Sequence, residues 1–285
     1  MKIYWKKQII NPYTIGVVIA LPILTFLFIS ISAGFLPKFW QQMYPGESAA
    51  GDDLWIFSHM RHLESFVDAM EWYIMDSKYL IPFFASLAVF PFIQMRDYVW
   101  AFASVRMKHP ERTEYEWIGS SVVRAASTVY CSYLLTMALL RWLYVDTSHD
   151  QNFDVFIHQW GWSLGADEHP YLYILVLGVF RCFLFPLLMA LLTVAVSYLT
   201  NKIYIYLLAP TVYCVIAYSV FSQGIYQDKW PLPLFSPENI TWPSSPDYWG
   251  FGHTVHGIWG VVGASLIIII PSVLMIWYGM RKRRI

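Results

Sequence analysis

Charge is scarce in this 285-residue chain: Asp, Glu, Lys and Arg make up 13% of it, against about 25% in an ordinary soluble domain. Such a chain cannot dress a water-exposed surface of normal polarity. Cysteine is scarcer still. Cys131, Cys182 and Cys214 stand at uneven spacing within apolar runs, which suits small core hydrophobes and excludes a disulfide framework or a cysteine metal cluster. Catalytic signatures are missing as well. There is no HExxH, GxSxG or CxxC, so zinc peptidase, serine hydrolase and dithiol chemistry have no motif here. No GxxxxGK[ST] loop is present and no polar segment is long enough to fold as a nucleotide-binding domain, so the chain is not itself an ATPase.

What fills the chain instead is apolar. Hydrophobic residues reach 57%, aromatics 19% and mean hydropathy +0.45. Six apolar segments, each near the length a bilayer-crossing helix needs, run from Thr14 to Leu36, Tyr79 to Met95, Ser121 to Tyr144, Tyr171 to Leu199, Ile203 to Phe221 and Val255 to Met280. The first is longer than a signal-peptide core and lacks a small-residue cleavage site, so it reads as retained. The second is short and holds Pro82 and Pro91; neighbouring helices can satisfy the backbone groups that those prolines free. The predicted fold is all-α: one polytopic transmembrane domain over residues 1–285.

Charge asymmetry gives the orientation. Thirteen of nineteen basic residues fall on the side that holds both termini, among them Lys2, Lys6, Lys7, Lys202 and the tail Arg281 to Arg284. The positive-inside rule places both termini in the cytoplasm. Fifteen of nineteen acids fall on the other side, in outer loops at Pro37 to Lys78, Val145 to Pro170 and Ser222 to Thr254. Solvation of those loops explains the acids; a field that attracts a cationic substrate is the sharper reading. Asp97, Glu111, Glu114 and Glu116 are the inner acids.

The spans hold no acid. Arg181 in FRCFLFPLL is the one charge well inside a span; it must pair, snorkel or face a cavity, and it is the candidate contact for an anionic group or partner subunit. Ion-coupled carriers place carboxylates or histidines within the membrane to hold the coupling ion, so proton- or sodium-driven transport is disfavoured. His59 and His62, and again His253 and His256, stand three residues apart. That spacing shares one helix face, but a pair alone reads as a polar face rather than a metal site.

The inner segment Arg96 to Ser120 mixes Tyr98, Trp100, Phe102, Tyr115 and Trp117 with basic residues around a central HPER turn. Pro110 closes the helix before it and opens the next. The pattern predicts two short interfacial helices joined at His109–Pro110, the second running into the third span. Periodicity alone leaves a passive elbow and a lever open.

The stretch FPFIQMRDY, then FASVRMKHPERTEYEWIGSSVVRA, the turn YLTNKIYIYLLAP and the segment PLPLFSPENITWPSSP before the last span resemble six-span permease subunits of type-2 ABC transporters from low-GC Gram-positive bacteria. The resemblance covers most of the chain and rests on layout. It implies a subunit of a multi-pass plasma-membrane exporter of a peptide, lipid or other amphipathic compound. It implies a second permease chain and separate cytoplasmic ATPase subunits that carry ATP and magnesium; this chain would hold no cofactor or metal of its own. It also implies an ATPase-coupling role for Arg106, Lys108, His109, Pro110 and Arg112.

The first outer loop departs from the simplest form of that family. Leu54 to Met75 repeats apolar residues every three or four positions, which predicts an amphipathic surface helix. The third outer loop, with Trp230, Pro231, Pro233, Pro237, Trp242, Pro243 and Pro246, predicts a rigid segment that is not helical. Together they read as a lid on the outer mouth. The competing functional class is a non-transporting membrane scaffold or sensor that binds a ligand through its outer loops. A lipid-modifying membrane enzyme is disfavoured, because no acid–base pair or metal set lies at the membrane edge. Nothing points to nucleic acid.

Overall fold

A computed structural model describes residues 11–32, 66, 67, 70, 73, 77–106, 110–143, 169–221, 232–237, 240 and 257–282. Among the described residues there is no strand. The helices are α1 (Pro12–Ser32), α2 (Ile81–Arg106), α3 (Pro110–Leu143), α4 (Pro170–Gly178), α5 (Phe185–Leu199), α6 (Ile203–Phe221) and α7 (Gly257–Lys282). A π-helical turn, Val179–Leu184, joins α4 to α5. Four rods are long and apolar enough to cross a membrane: Pro110–Trp142, Pro170–Leu199, Ile203–Val220 and Gly260–Lys282. The chain is an all-α protein with the character of a multi-pass membrane protein. Helix α1 contributes a shorter apolar stretch, Pro12–Leu27. Helix α2 is 26 residues long, but its second half carries Arg96, Asp97 and Arg106.

Local chemistry sets the ends. The Asn11 side-chain oxygen accepts the Thr14 N–H at 2.8 Å and so caps α1. Proline opens α1, α3 and α4, where its missing donor and fixed φ cost nothing. The π turn also follows from proline. Pro186 has no N–H to offer the carbonyl four residues back, and the chain widens by one residue just before it. The sequence reading anticipated the rod from Tyr171 to Leu199 without this interruption.

The second expected span ends later than its apolar pattern. Helix α2 runs unbroken past Met95 to Arg106, and α3 starts at Pro110. The first of the two expected short helices is therefore the continuation of α2, while the second runs from Pro110 into the third span as read from the sequence.

Helix α5 is the hub, packing against α2, α3, α6 and α7, while α1 lies on α2 and α3. Leu188, Met189, Ala190, Val194 and Ala195 are wholly buried on it. Hydrocarbon offers buried hydroxyls no partner, so they bond within the protein. Thr193 donates to Met189 O at 2.8 Å, Ser86 donates to Pro82 O at 2.9 Å, and the two hydroxyl oxygens lie 2.7 Å apart across α2 and α5. The outward faces of α6 and α7 stay apolar, with Ile203, Leu208, Ile216, Ile270 and Leu274 exposed, as a lipid-facing surface requires.

The first outer loop differs from the expected surface helix wherever it is described. Phe66, Val67, Met70 and Tyr73 are helical and buried. Phe66 stands against Tyr171 at 5.5 Å between ring centroids, and Tyr73 against Tyr133 at 6.2 Å. The apolar periodicity was real, but its partner is the bundle core rather than a membrane surface. In the third outer loop Leu232–Phe235 forms a single 3-10 turn. It leans on α7 and α6: Leu234 lies beside Gly263, and Tyr213 donates to Phe235 O at 3.0 Å. Trp230, Pro231, Trp242, Pro243 and Pro246 lie outside the described residues, as do His59, His62, His253 and His256.

Two glycines permit close helix approach. A Cβ on Gly279 would stand 2.6 Å from Tyr198 Cβ and 2.9 Å from its carbonyl oxygen, whereas one on Gly119 would meet nothing within 4 Å. Gly279→Ala is expected to lower stability by about 1–3 kcal/mol through overpacking. Gly119→Ala is expected to be neutral or to stabilise by up to about 1 kcal/mol. Thermal unfolding of the two variants in the same detergent checks the contrast.

Candidate functional site

Helix α2 ends at Arg106 and helix α3 begins at Pro110, and these two facing ends, with 107–109 between them outside the described residues, are called the elbow. Helix α3 has 34 residues, which makes it about 51 Å long, against a hydrocarbon core of about 30 Å. Glu111, Arg112, Glu114 and Glu116 stand in its first two turns, at the elbow end.

Its surface is polar with apolar islands. Tyr98 is 78% and Val105 83% exposed, and Phe102 is exposed between them. These three lie at i, i+4 and i+7, hence on one helix face. The Arg106 guanidinium covers the Phe102 ring at 4.6 Å. Arg112 and Glu116 form an exposed pair at 3.0 Å, one turn apart. Of the residues given a coupling role, Arg106, Pro110 and Arg112 come together at the elbow; Lys108 and His109 lie outside the described residues. Arg181 belongs elsewhere, buried in the π turn at 2% exposure.

Directly inside the elbow lies a polar knot. Arg96 on α2 is only 5% exposed. Its Nη1 donates to Ser197 O at 2.7 Å and to Ser197 Oγ at 3.0 Å, and its guanidinium lies 4.7 Å from the centre of the Tyr198 ring. The Tyr198 hydroxyl in turn donates to Glu114 Oε1 on α3. Ser197 O is among the last four carbonyls of α5, which find no partner within their own helix. Arg96 thus caps that end with a cation at the negative pole of the helix dipole. Phe92 and Trp117, 6.1 Å apart, close the apolar side between α2 and α3. The knot joins α2, α3 and α5, and Gly279 of α7 backs Tyr198.

Glu114, counted among the inner acids from the sequence, is a buried one. It is 3% exposed. The signal was present: Glu114, Ile118, Ser121, Val122 and Ala125 form one buried stripe at helical spacing. Extending the apolar face of the third span about two turns beyond its apolar run lands on Glu114. Arg96 likewise lies one turn below Phe92 and Ile93 on the buried face of α2.

The knot is built for holding. Among the described residues no group of three or more His, Cys, Asp or Glu could bind a metal ion. Compared with known proteins, the chain matches no family model, no curated protein and no solved structure.

Burial separates the two carboxylates of this region. Tyr198→Phe deletes one hydrogen bond to a buried charge and is expected to cost about 1–3 kcal/mol. Arg112→Ala deletes an exposed pair and is expected to cost less than about 0.5 kcal/mol. Denaturant titration in detergent, with both variants at equal protein concentration, measures the difference.

Proposed function

We propose that the chain is the permease subunit of an ATP-driven transporter of the type-2 ABC kind, with six spans and both termini in the cytoplasm. Two permease chains would pair in the plasma membrane, and each would carry a separate cytoplasmic ATPase that binds ATP and magnesium. The cargo class is a peptide, lipid or other amphipathic compound moved outward.

The observation that carries this reading is the elbow. Helix α2 would be the second span and α1 the first, their apolar stretches standing beside the four longer rods. Two helices run on past the membrane to meet at a tip where Arg106 and Arg112 are exposed, on the side that holds most of the basic residues. Such a tip can receive a push and offers no chemistry of its own. An intramembrane carboxylate that could couple to an ion is also missing from the apolar runs, which moves the energy source to a partner.

Two experiments test the reading. Reporter fusions at each terminus and in the 145–170 loop are expected to place both termini inside and that loop outside; opposite sides for the two termini would exclude an even number of spans. Gentle purification from the native membrane is expected to bring down an ATPase with a P-loop, and Arg106→Ala with Arg112→Ala to cut that recovery about tenfold or more, as for loss of two interfacial arginines. Normal insertion with no ATPase in any preparation would favour the scaffold or sensor class.

A further inference from the structure

Four helices converge on two consecutive residues, Ser197 and Tyr198. Arg96 reaches them ten residues before the end of α2, and Glu114 reaches them four residues after Pro110. These spacings correspond to about 15 Å and 6 Å along the helix axes. Both arms of the elbow are therefore tied to one point on α5. On the far side of that point, a carbonyl and a Cβ of Tyr198 rest against Gly279 of α7. Only Leu199, Thr200, Asn201 and Lys202 separate it from α6. Thr200 is extended, at φ −141° and ψ 145°, and its hydroxyl accepts the Lys202 N–H at 3.2 Å, so this turn is short and tied to itself.

The ties are unequal to the rest of the interface. Along α2 and α5 the other buried residues are apolar, aliphatic and aromatic, with the hydroxyl pair of Ser86 and Thr193 between them. Apolar contacts let packed helices slide by small steps. Beside the Asp97 carboxylate, 3.4 Å from Arg96 Nε, the buried guanidinium and the buried Glu114 carboxylate still lose strongly when a hydrogen bond of the knot is broken in a medium of low dielectric constant. The knot therefore holds or breaks; it does not stretch.

We propose that Arg96, Glu114 and Tyr198 are positioning residues that lock the elbow and the α5–α6 turn into one rigid unit. A displacement of the elbow is then delivered to the start of α6 and to α7, and is not spent in bending α2 and α3. The identity of what pushes the elbow rests on the transport reading above; the lock itself does not.

The test uses the full chain in lipid nanodiscs, with the exposed Cys131 replaced by Ser. Spin labels at residues 105 and 203, both exposed, report the distance between the elbow and the start of α6. Labels at 142 and 262, also exposed, report the opposite end of the bundle. Double electron–electron resonance is expected to give a narrow 105–203 distribution in the parent. Tyr198→Phe and Glu114→Leu are expected to broaden it about twofold, as a two-state element released from one basin does. Glu114→Gln keeps an acceptor for the Tyr198 hydroxyl and is expected to stay narrow. The 142–262 distribution is expected to be unchanged in all three variants. An unchanged 105–203 width in Tyr198→Phe and Glu114→Leu overturns the lock, and so does equal broadening of both pairs, which marks general loosening. Recovery of an ATPase is read separately: its absence with a released elbow sinks the transport reading and leaves the lock standing, and its presence with an unmoved elbow does the reverse.

Discussion

Arg96 is a buried cation, 5% exposed, and its surroundings are arranged around the cost of burying it. A guanidinium withdrawn from water needs both hydrogen-bond acceptors and compensating negative charge. The Ser197 carbonyl and hydroxyl supply the acceptors. The negative end of α5, the face of Tyr198 and the Glu114 carboxylate behind its hydroxyl supply the charge. These groups come from the last turn of α5 and the first turns of α3. Satisfying one cation therefore fixes how α2, α3 and α5 cross. Gly279 then completes the arrangement, because only a residue without Cβ lets α7 approach the backbone of Tyr198.

The same scarcity of partners explains the hydroxyl pattern farther along the bundle. Thr128 and Thr136 return their protons to carbonyls four residues back, at 2.9 and 3.0 Å, which satisfies them without a second helix. Ser86 and Thr193 do this and also meet each other. Tyr133 sends its hydroxyl to Ile174 O at 2.6 Å while its ring fills the space that Gly178 leaves open. One end of the bundle is held by a charged knot, and the remainder by neutral hydroxyls and close aromatic packing.

Much of the helical layout was legible in the sequence, because apolar run length is a direct physical consequence of bilayer thickness. The rods Pro170–Leu199 and Ile203–Val220 and helix α7 begin or end within a few residues of their apolar runs. Run length is blind to helix that continues into polar sequence, so the extension of α2 to Arg106 was missed as part of one long rod, whereas a helix opening at Pro110 and running into the third span was read. The turn at Pro110 itself was legible, since proline disfavours helix in the residue before it. The knot was not, because Arg96 and Glu114 look like ordinary membrane-edge charges until their places on the buried stripes are counted. For Phe66, Val67, Met70 and Tyr73 the periodicity was read correctly and its partner was not. An amphipathic helix announces that it has one apolar face and says nothing of what that face meets.

Arg181 shows how differently a buried cation can be placed. It sits in the middle of a long apolar rod, in a turn that proline has widened. An added residue per turn rotates every side chain that follows, so the faces of α4 and α5 are set by the π turn and not by a continuous helical wheel. The burial of Leu188, Met189 and Val194 on the hub of the bundle thus depends on the offset introduced at Val179–Leu184. An i→i+5 turn already holds its backbone groups in a weaker pattern than an α-helix, and it is the natural place for such a rod to adjust without unwinding. The π turn lies next to α4, and the far end of the rod at Ser197 and Tyr198 is tied to α2 and α3. The one turn where the rod's hydrogen-bond ladder is out of step thus stands well away from the knot that fixes its elbow end.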